Sequence, residues 1–342
     1  MRRLMIVGII FCVAVLLVPT MLVLGGSNSS NEALNNLQAE PETTSYNSET
    51  NDYQSEEDVH VAVYRSATSE VDEIPLEEYV IGVVGSEMHA SFELEALKAQ
   101  ALAARTFVLQ YLLNQENLEV PNGAHVTDTT DYQVYKDEAQ LKEKWGKDYE
   151  QNYAKVKEAV LSTKGEILTY NEQPISAQFF STSNGYTENS EDYYKYETPY
   201  LKSVASPWDQ ASPRFTGETR MPVTDFEAKL QVTLPDDGTV GTILSRTETG
   251  RVASVNINGK EKSGREVRES LGLDSSDFQW QRQGNEVIIQ TKGWGHGVGM
   301  SQYGANGMAL EGKNYDEIVK YYYQDISIQE SEPLLEKHLA KK

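Results

Sequence analysis

The chain has almost no cysteine: one in 342 residues, Cys12. A disulfide framework is excluded, and so is any zinc site that needs two or four cysteines of one chain. Positive charge is also scarce. Thirty Lys and Arg stand against 52 Asp and Glu, a net charge of −22. An acidic field offers nothing to nucleic acid or to an anionic membrane surface, so neither is expected as a partner. No repeat of fixed period occurs, and regular βαβ alternation is missing. A doubly wound parallel sheet is therefore disfavoured, and an α+β fold of mixed helices and short antiparallel strands around a cleft is expected.

One long apolar run is present. Met1-Arg2-Arg3 precedes an uncharged stretch from Leu4 to Leu24. As a helix at ~1.5 Å per residue it would span roughly 31 Å, a bilayer core. The arginines before it belong on the cytoplasmic side. We expect residues 1–25 to be a cytoplasmic stub and signal anchor, with the bulk of the chain outside the membrane. Residues 26–57 are rich in Ser, Asn, Glu and Thr and read as a flexible tether. Residues 58–328 are the folded region, with two lobes as an option, and 329–342 a frayed tail.

Within the folded region, alternation predicts a strand over 59–64. Pro75 and the acids after it start a helix through 87. Helices follow over 94–113 and 153–163, with strands at 167–170 and 175–180. Thr249-Gly250 and Gly284-Asn285 mark hairpins between 239 and 257 and between 278 and 292. Short helices are expected at 264–271, 301–310 and 315–323.

Four features bear on chemistry. Leu76, Val80, Val83, Val84 and Glu87 share one helical face. A carboxylate completing an apolar stripe either ends the helix in solvent or is partly desolvated; desolvation raises its pKa, as a general acid requires. Arg105 lies on an alanine-rich face of the next helix; it pairs structurally, or it binds a ligand. Gly293-Trp294-Gly295-His296-Gly297-Val298-Gly299 alternates four glycines and fits neither phosphate-loop spacing. It is a tight turn required by packing, or a backbone that presents Trp294 and His296. Gln178 to Thr187 runs from a strand into hydroxyls and an amide, a turn or the polar rim of a sugar site. No Gly-x-Ser-x-Gly elbow places a serine nucleophile.

Taken together, three blocks resemble one family. They are Ser86-Glu87-Met88 with Glu95 to Thr106, Ser181 to Glu188, and Gly293 to Ala305. They are similar to the signature of the stage II sporulation protein D family, over about residues 58–325. The resemblance implies a peptidoglycan lytic transglycosylase of the engulfment machinery, with Glu87 as its acid. The implied substrate is stem-stripped glycan, cut between N-acetylmuramic acid and N-acetylglucosamine. The implied partners are stage II sporulation proteins P and M. The acidic surface fits a preference for stripped strands, since stem peptides carry carboxylates. Arg105, Gln133, Gln178, Ser181, Ser183, His296 and Gln302 are candidates to bind hydroxyl and acetamido groups. Tyr186 and Trp294 are candidates to pack on sugar faces. Some relatives carry zinc on Cys and His in the segment matching 126–135. Thr127, Asp131 and Tyr132 stand at those positions here, with only His125 left, so no zinc and no cofactor is expected. His89 replaces the usual proline after Glu-Met. Asp128 and Asp131 are spare carboxylates. The family also holds amidase enhancers, so a non-enzymatic glycan-binding scaffold or enhancer is the rival reading. A hydrolase leaving ordinary reducing ends is a third.

Overall fold

Strand β1 (His60–Arg65) forms where the valines alternate. It pairs antiparallel with β2 (Glu70–Pro75) and parallel with the short β3 (Val126–Thr127). The structure, a computed structural model, describes residues 59–113 and 120–339. The expected anchor and tether lie outside the described residues. Among the described residues, no helix is long and apolar enough to cross a membrane.

Helix α1 (Leu76–Glu87) begins directly after Pro75. Its spacing suggests one buried face, yet Tyr79, Ile81, Gly82 and Gly85 are buried as well. The helix is therefore central and covered all round. The glycines explain how. A Cβ on Gly82 would lie on the Tyr135 ring, and one on Gly85 would meet Trp145 and Leu141. Helix α2 (Leu94–Leu113) has the expected limits. Its buried alanines at 96, 99, 101, 103 and 104 let α1 and the following elements pack closely against it.

Two helices fill the next stretch where the sequence suggests one. They are α3 (Glu138–Trp145) and α4 (Tyr149–Leu161). Only Leu141 of α3 is buried, so it shows no apolar stripe; the Asp137–Gln140 capping box starts it. Strands β4 (Glu166–Tyr170) and β5 (Gln173–Pro174) follow. The strand expected over 175–180 shrinks to β6 (Phe179–Phe180), because a local Gln178–Ser176 backbone bond breaks the extended run. The short α5 (Ser190–Tyr194) closes this half.

The next segment builds a second, separate core. It comprises β7 (Thr216–Pro222), α6 (Val223–Leu230), β8 (Thr242–Arg246), β9 (Val252–Ile257), β10 (Lys260–Ser263), α7 (Gly264–Leu271), β11 (Phe278–Gln283) and β12 (Glu286–Lys292). Two three-stranded antiparallel sheets, β10-β9-β8 and β11-β12-β7, enclose Phe226, Val255, Val267, Phe278 and Ile289. Both expected hairpins are present. The chain then returns to the first core through β13 (Met300–Ser301), α8 (Gln302–Leu310) and α9 (Tyr315–Tyr322). The end is not frayed from 329. β14 (Ser327–Glu330) pairs with β4, and α10 (Glu332–Leu339) buries Leu335 in the main core. The class is mixed helix and short, mainly antiparallel strand, around a cleft.

Candidate active site

Glu87 is the last residue of α1, so it ends the helix and is shielded at once. Its Oε1 accepts the N–H of Val134 at 2.8 Å. Its Oε2 has no hydrogen-bond partner among the described residues. Lys144 donates to the carbonyls of Gly85 and Ser86, each at 2.8 Å, beside it. Burial pushes the Glu87 pKa up; the Val134 N–H and Lys144 pull the other way, and the balance stays raised. Lys144, rather than His89, is the cation acting on this carboxyl. His89 lines the same cleft against Phe92 and Tyr303, and burial, then Lys144 and Arg214, depress its pKa.

The segment before α3 delivers Val134 to Glu87. Arg65 of β1 holds it at both ends, through Asp128 at 3.3 Å and Asp137 at 2.9 Å, and lies over the Tyr135 ring. Asp128 is thus a structural partner of Arg65 and not a spare acid. Gln133 lies between these anchors, 1% exposed. Its Oε1 accepts from Tyr79 at 3.2 Å, and its Nε2 has no partner among the described residues. No group of three metal-ligating side chains occurs among the described residues. His125 Nδ1 accepts the Ala62 N–H at 2.9 Å.

Glu87 opens into a cleft of about 1200 Å³. Tyr132 and Gln133, Gln178 to Ser181, and Tyr193, Tyr194 and Tyr196 all line it. Arg265, Arg268 and Glu269 of α7 add to the lining from the second lobe, with Arg214 and Trp294. The lining is therefore polar, aromatic and partly cationic, the make-up of a ligand-binding cleft.

The glycine loop brings Trp294 and His296 here. Gly295 (φ 117°) packs on the Phe180 Cβ and Gly297 (φ 91°) on the Arg251 guanidinium, where any side chain would collide. His296 Nε2 lies 2.9 Å from the Phe179 carbonyl, and its Nδ1 accepts the Val298 N–H at 3.1 Å. Both ring nitrogens are committed to backbone, so His296 offers the cleft only its ring. Burial, with Arg268 second, holds its pKa down at about 4. Trp294 is 37% exposed and carries Arg214 on its face, 3.9 Å from the ring centroid.

The structure thus gathers Glu87, Gln133, Gln178, Ser181, Trp294, His296 and Gln302 around one cleft. Gln178 is tied to Tyr194 and Ser176, and Gln302 to Gln100. Three expected ligand residues lie elsewhere. Arg105 is 0% exposed and forks onto both oxygens of Glu77, at 2.8 and 2.7 Å. Ser183 is buried, its N–H on Asp209 and its hydroxyl on the Ser206 carbonyl. Tyr186 is exposed outside the cleft lining. The serine-rich block is largely a seam: Asn184 donates to Thr249 and Asp277 of the second lobe. Sequence reading missed Lys144, Arg214, Arg265, Arg268 and the tyrosines. Only the tyrosine-rich run 193–196 carried a local signal.

The cleft thus holds one shielded carboxyl and several aromatic side chains. The sequence profile of the family described as "Stage II sporulation protein" matches residues 64–170. Stage II sporulation protein D of Bacillus subtilis (strain 168) is 49% identical over the full length of both chains. That of Bacillus amyloliquefaciens is 51% identical over 97% of each. The Amidase enhancer of Bacillus subtilis (strain 168) is 30% identical over 71% of this chain and 39% of its own. The chain belongs to the stage II sporulation protein D family.

Proposed function

We propose that the protein is a peptidoglycan lytic transglycosylase acting in sporulation. It cuts stem-stripped glycan between MurNAc and GlcNAc and leaves 1,6-anhydro-MurNAc ends. The observation that carries this reading is Glu87: shielded, raised in pKa, and bonded to backbone through one oxygen only. Hydrolytic glycosidases use a pair of carboxylates. The other cleft carboxylates are poorly suited. Glu269 is exposed and bound to Arg265 at 2.7 Å, and Asp131 is exposed.

One carboxyl suffices for a transglycosylase. Protonated Glu87 gives its proton to the glycosidic oxygen as the C1–O bond breaks. The carboxylate left behind takes the proton of the C6 hydroxyl on the same muramic residue. That oxygen then bonds to C1. No water is consumed and Glu87 ends as it began. Lys144 steadies the carboxylate between the two transfers.

The role we propose is in engulfment, with stage II sporulation proteins P and M as partners. We place the folded region on the outer side of a membrane, held by the apolar run 4–24. The Amidase enhancer similarity supports a second reading, glycan binding without cleavage. One assay separates them. Full-length wild type and Glu87→Gln are given stem-stripped strands, and products are weighed by mass spectrometry. Anhydro ends from wild type alone are expected. Binding by both without cleavage establishes the second reading instead.

A further inference from the structure

The charge of the cleft runs against that of the chain. Acidic side chains outnumber basic ones 52 to 30 overall. Yet Lys144, Arg214, Arg265 and Arg268 all line this cleft. Arg265 is bound to Glu269. The other three make no ion pair among the described residues. Lys144 spends itself on two carbonyls beside Glu87. Arg268 donates Nε to the Asp274 carbonyl at 3.3 Å and Nη1 to the Tyr193 hydroxyl at 3.2 Å, leaving Nη2 over. Arg214 makes no side-chain hydrogen bond among the described residues; its plane rests on Trp294. A guanidinium stacked on an indole keeps its in-plane N–H edge open to a carboxylate. Arg214 and Arg268 share a neighbourhood, for both pull on the Asp274 carboxyl, itself pushed up by burial. That carboxylate packs beside Gly217 and Thr291, outside the cleft lining.

We propose that Arg214 and Arg268 form an anion subsite for the free lactyl carboxylate of a muramic residue. The proposal rests on the glycan reading above. In a strand bearing stems that carboxyl is an amide, neutral and bulky. In a stripped strand it is a charged fork acceptor, once per disaccharide. The subsite therefore selects at the lactyl position by charge. This revises the expectation drawn from the acidic surface. A stripped strand is itself anionic, so overall negative charge repels it and a local cationic lining is what admits it.

The test measures binding in full-length Glu87→Gln, so cleavage plays no part. Its ligands are stem-stripped strands and the same strands with lactyl carboxylates converted to primary amides. Adding Arg214→Gln or Arg268→Gln should weaken carboxylate-strand binding about tenfold, the scale of one charged hydrogen bond. Amide-strand binding should change less than twofold. Arg268→Lys should retain part of the preference. Equal loss on both strands, or no loss on either, overturns the subsite. Among the described residues the Arg214 side chain makes no hydrogen bond or ion pair and rests only on Trp294, so it carries the test if Arg268→Gln misfolds. Absence of anhydro products in the cleavage assay would refute the transglycosylase and leave this measurement standing.

Discussion

Replacing Arg105 by methionine separates a structural arginine from a ligand-binding one. The side chain is fully buried and ties four elements together. Two nitrogens grip Glu77 at the start of α1, while the Val160 carbonyl of α4 and the Glu166 carbonyl of β4 each accept at 3.1 Å. Methionine fills much of the volume but leaves Glu77 and two carbonyls unpartnered. Breaking a buried pair from one side costs ~3–5 kcal/mol. Glu77 is 16% exposed, so water reaches part of its carboxylate and places the cost near the lower end, about 3 kcal/mol. For a folded region of this size that is a fall of roughly 6–12 °C in Tm. Urea unfolding of the full chain should show the midpoint falling with the slope unchanged. Adding Glu77→Gln should recover part of the loss, a coupling above ~1 kcal/mol. Well below the melting range, KM for stripped glycan should stay within twofold of wild type. A loss under about 1 kcal/mol combined with a raised KM would refute the structural assignment and return Arg105 to the ligand.

Two further outcomes follow from the site. Lys144→Met removes the cation that favours ionised Glu87, so the Glu87 pKa rises further. A general acid must be protonated, and activity falls as pH climbs through its pKa. The falling limb of the kcat/KM profile should therefore move to higher pH in this variant; no movement, or movement to lower pH, contradicts the assignment. Gly297→Ala meets both a φ of 91° and the Arg251 guanidinium within 2.7 Å of the new Cβ. Backbone strain alone should cost about 1–3 kcal/mol, read by urea unfolding. Stability equal to wild type would show that the loop does not need this glycine.

What could be read along the chain was what local rules govern. The limits of α2 follow from its alanines and leucines, and the hairpin turns from Thr249-Gly250 and Gly284-Asn285. The position of Glu87 at the end of an apolar stripe already implied a carboxyl at the border of the core. Helix α3 escaped notice because a helix resting on the protein through Leu141 alone shows no apolar period, although its Asp137–Gln140 box was visible. β7 is polar because only Met221 is buried in it; pairing with β12 makes it a strand. Arg105, left open between a structural pair and a ligand contact, proves to be paired, and Ser183 lies in the core, for a shared reason. A polar residue in a motif is drawn to the ligand or to the core, and spacing alone does not separate the two. The cations of the cleft carried no local mark, since Arg214, Arg268 and Lys144 come to line one cleft only through tertiary packing.

That meeting explains why the glycine-rich loop is built as it is. The acid comes from the first core and the α7 arginines from the second, so the geometry between them depends on the seam. The loop is part of that seam. Thr182 exchanges backbone hydrogen bonds with Trp294, Glu188 donates its N–H to the Gly297 carbonyl, and Met300 donates to Gln178. Beneath the loop, Glu188 and Arg251 face each other at 3.6 Å, both almost fully buried. Side chains at the glycine positions would push these backbones apart. Their absence lets the loop lie against β6 on one side and Arg251 on the other, and so fixes Trp294 as the platform for Arg214. The glycines thus matter without lining the site through side chains of their own: they set how the Glu87 end of the cleft sits against the arginines of the second lobe.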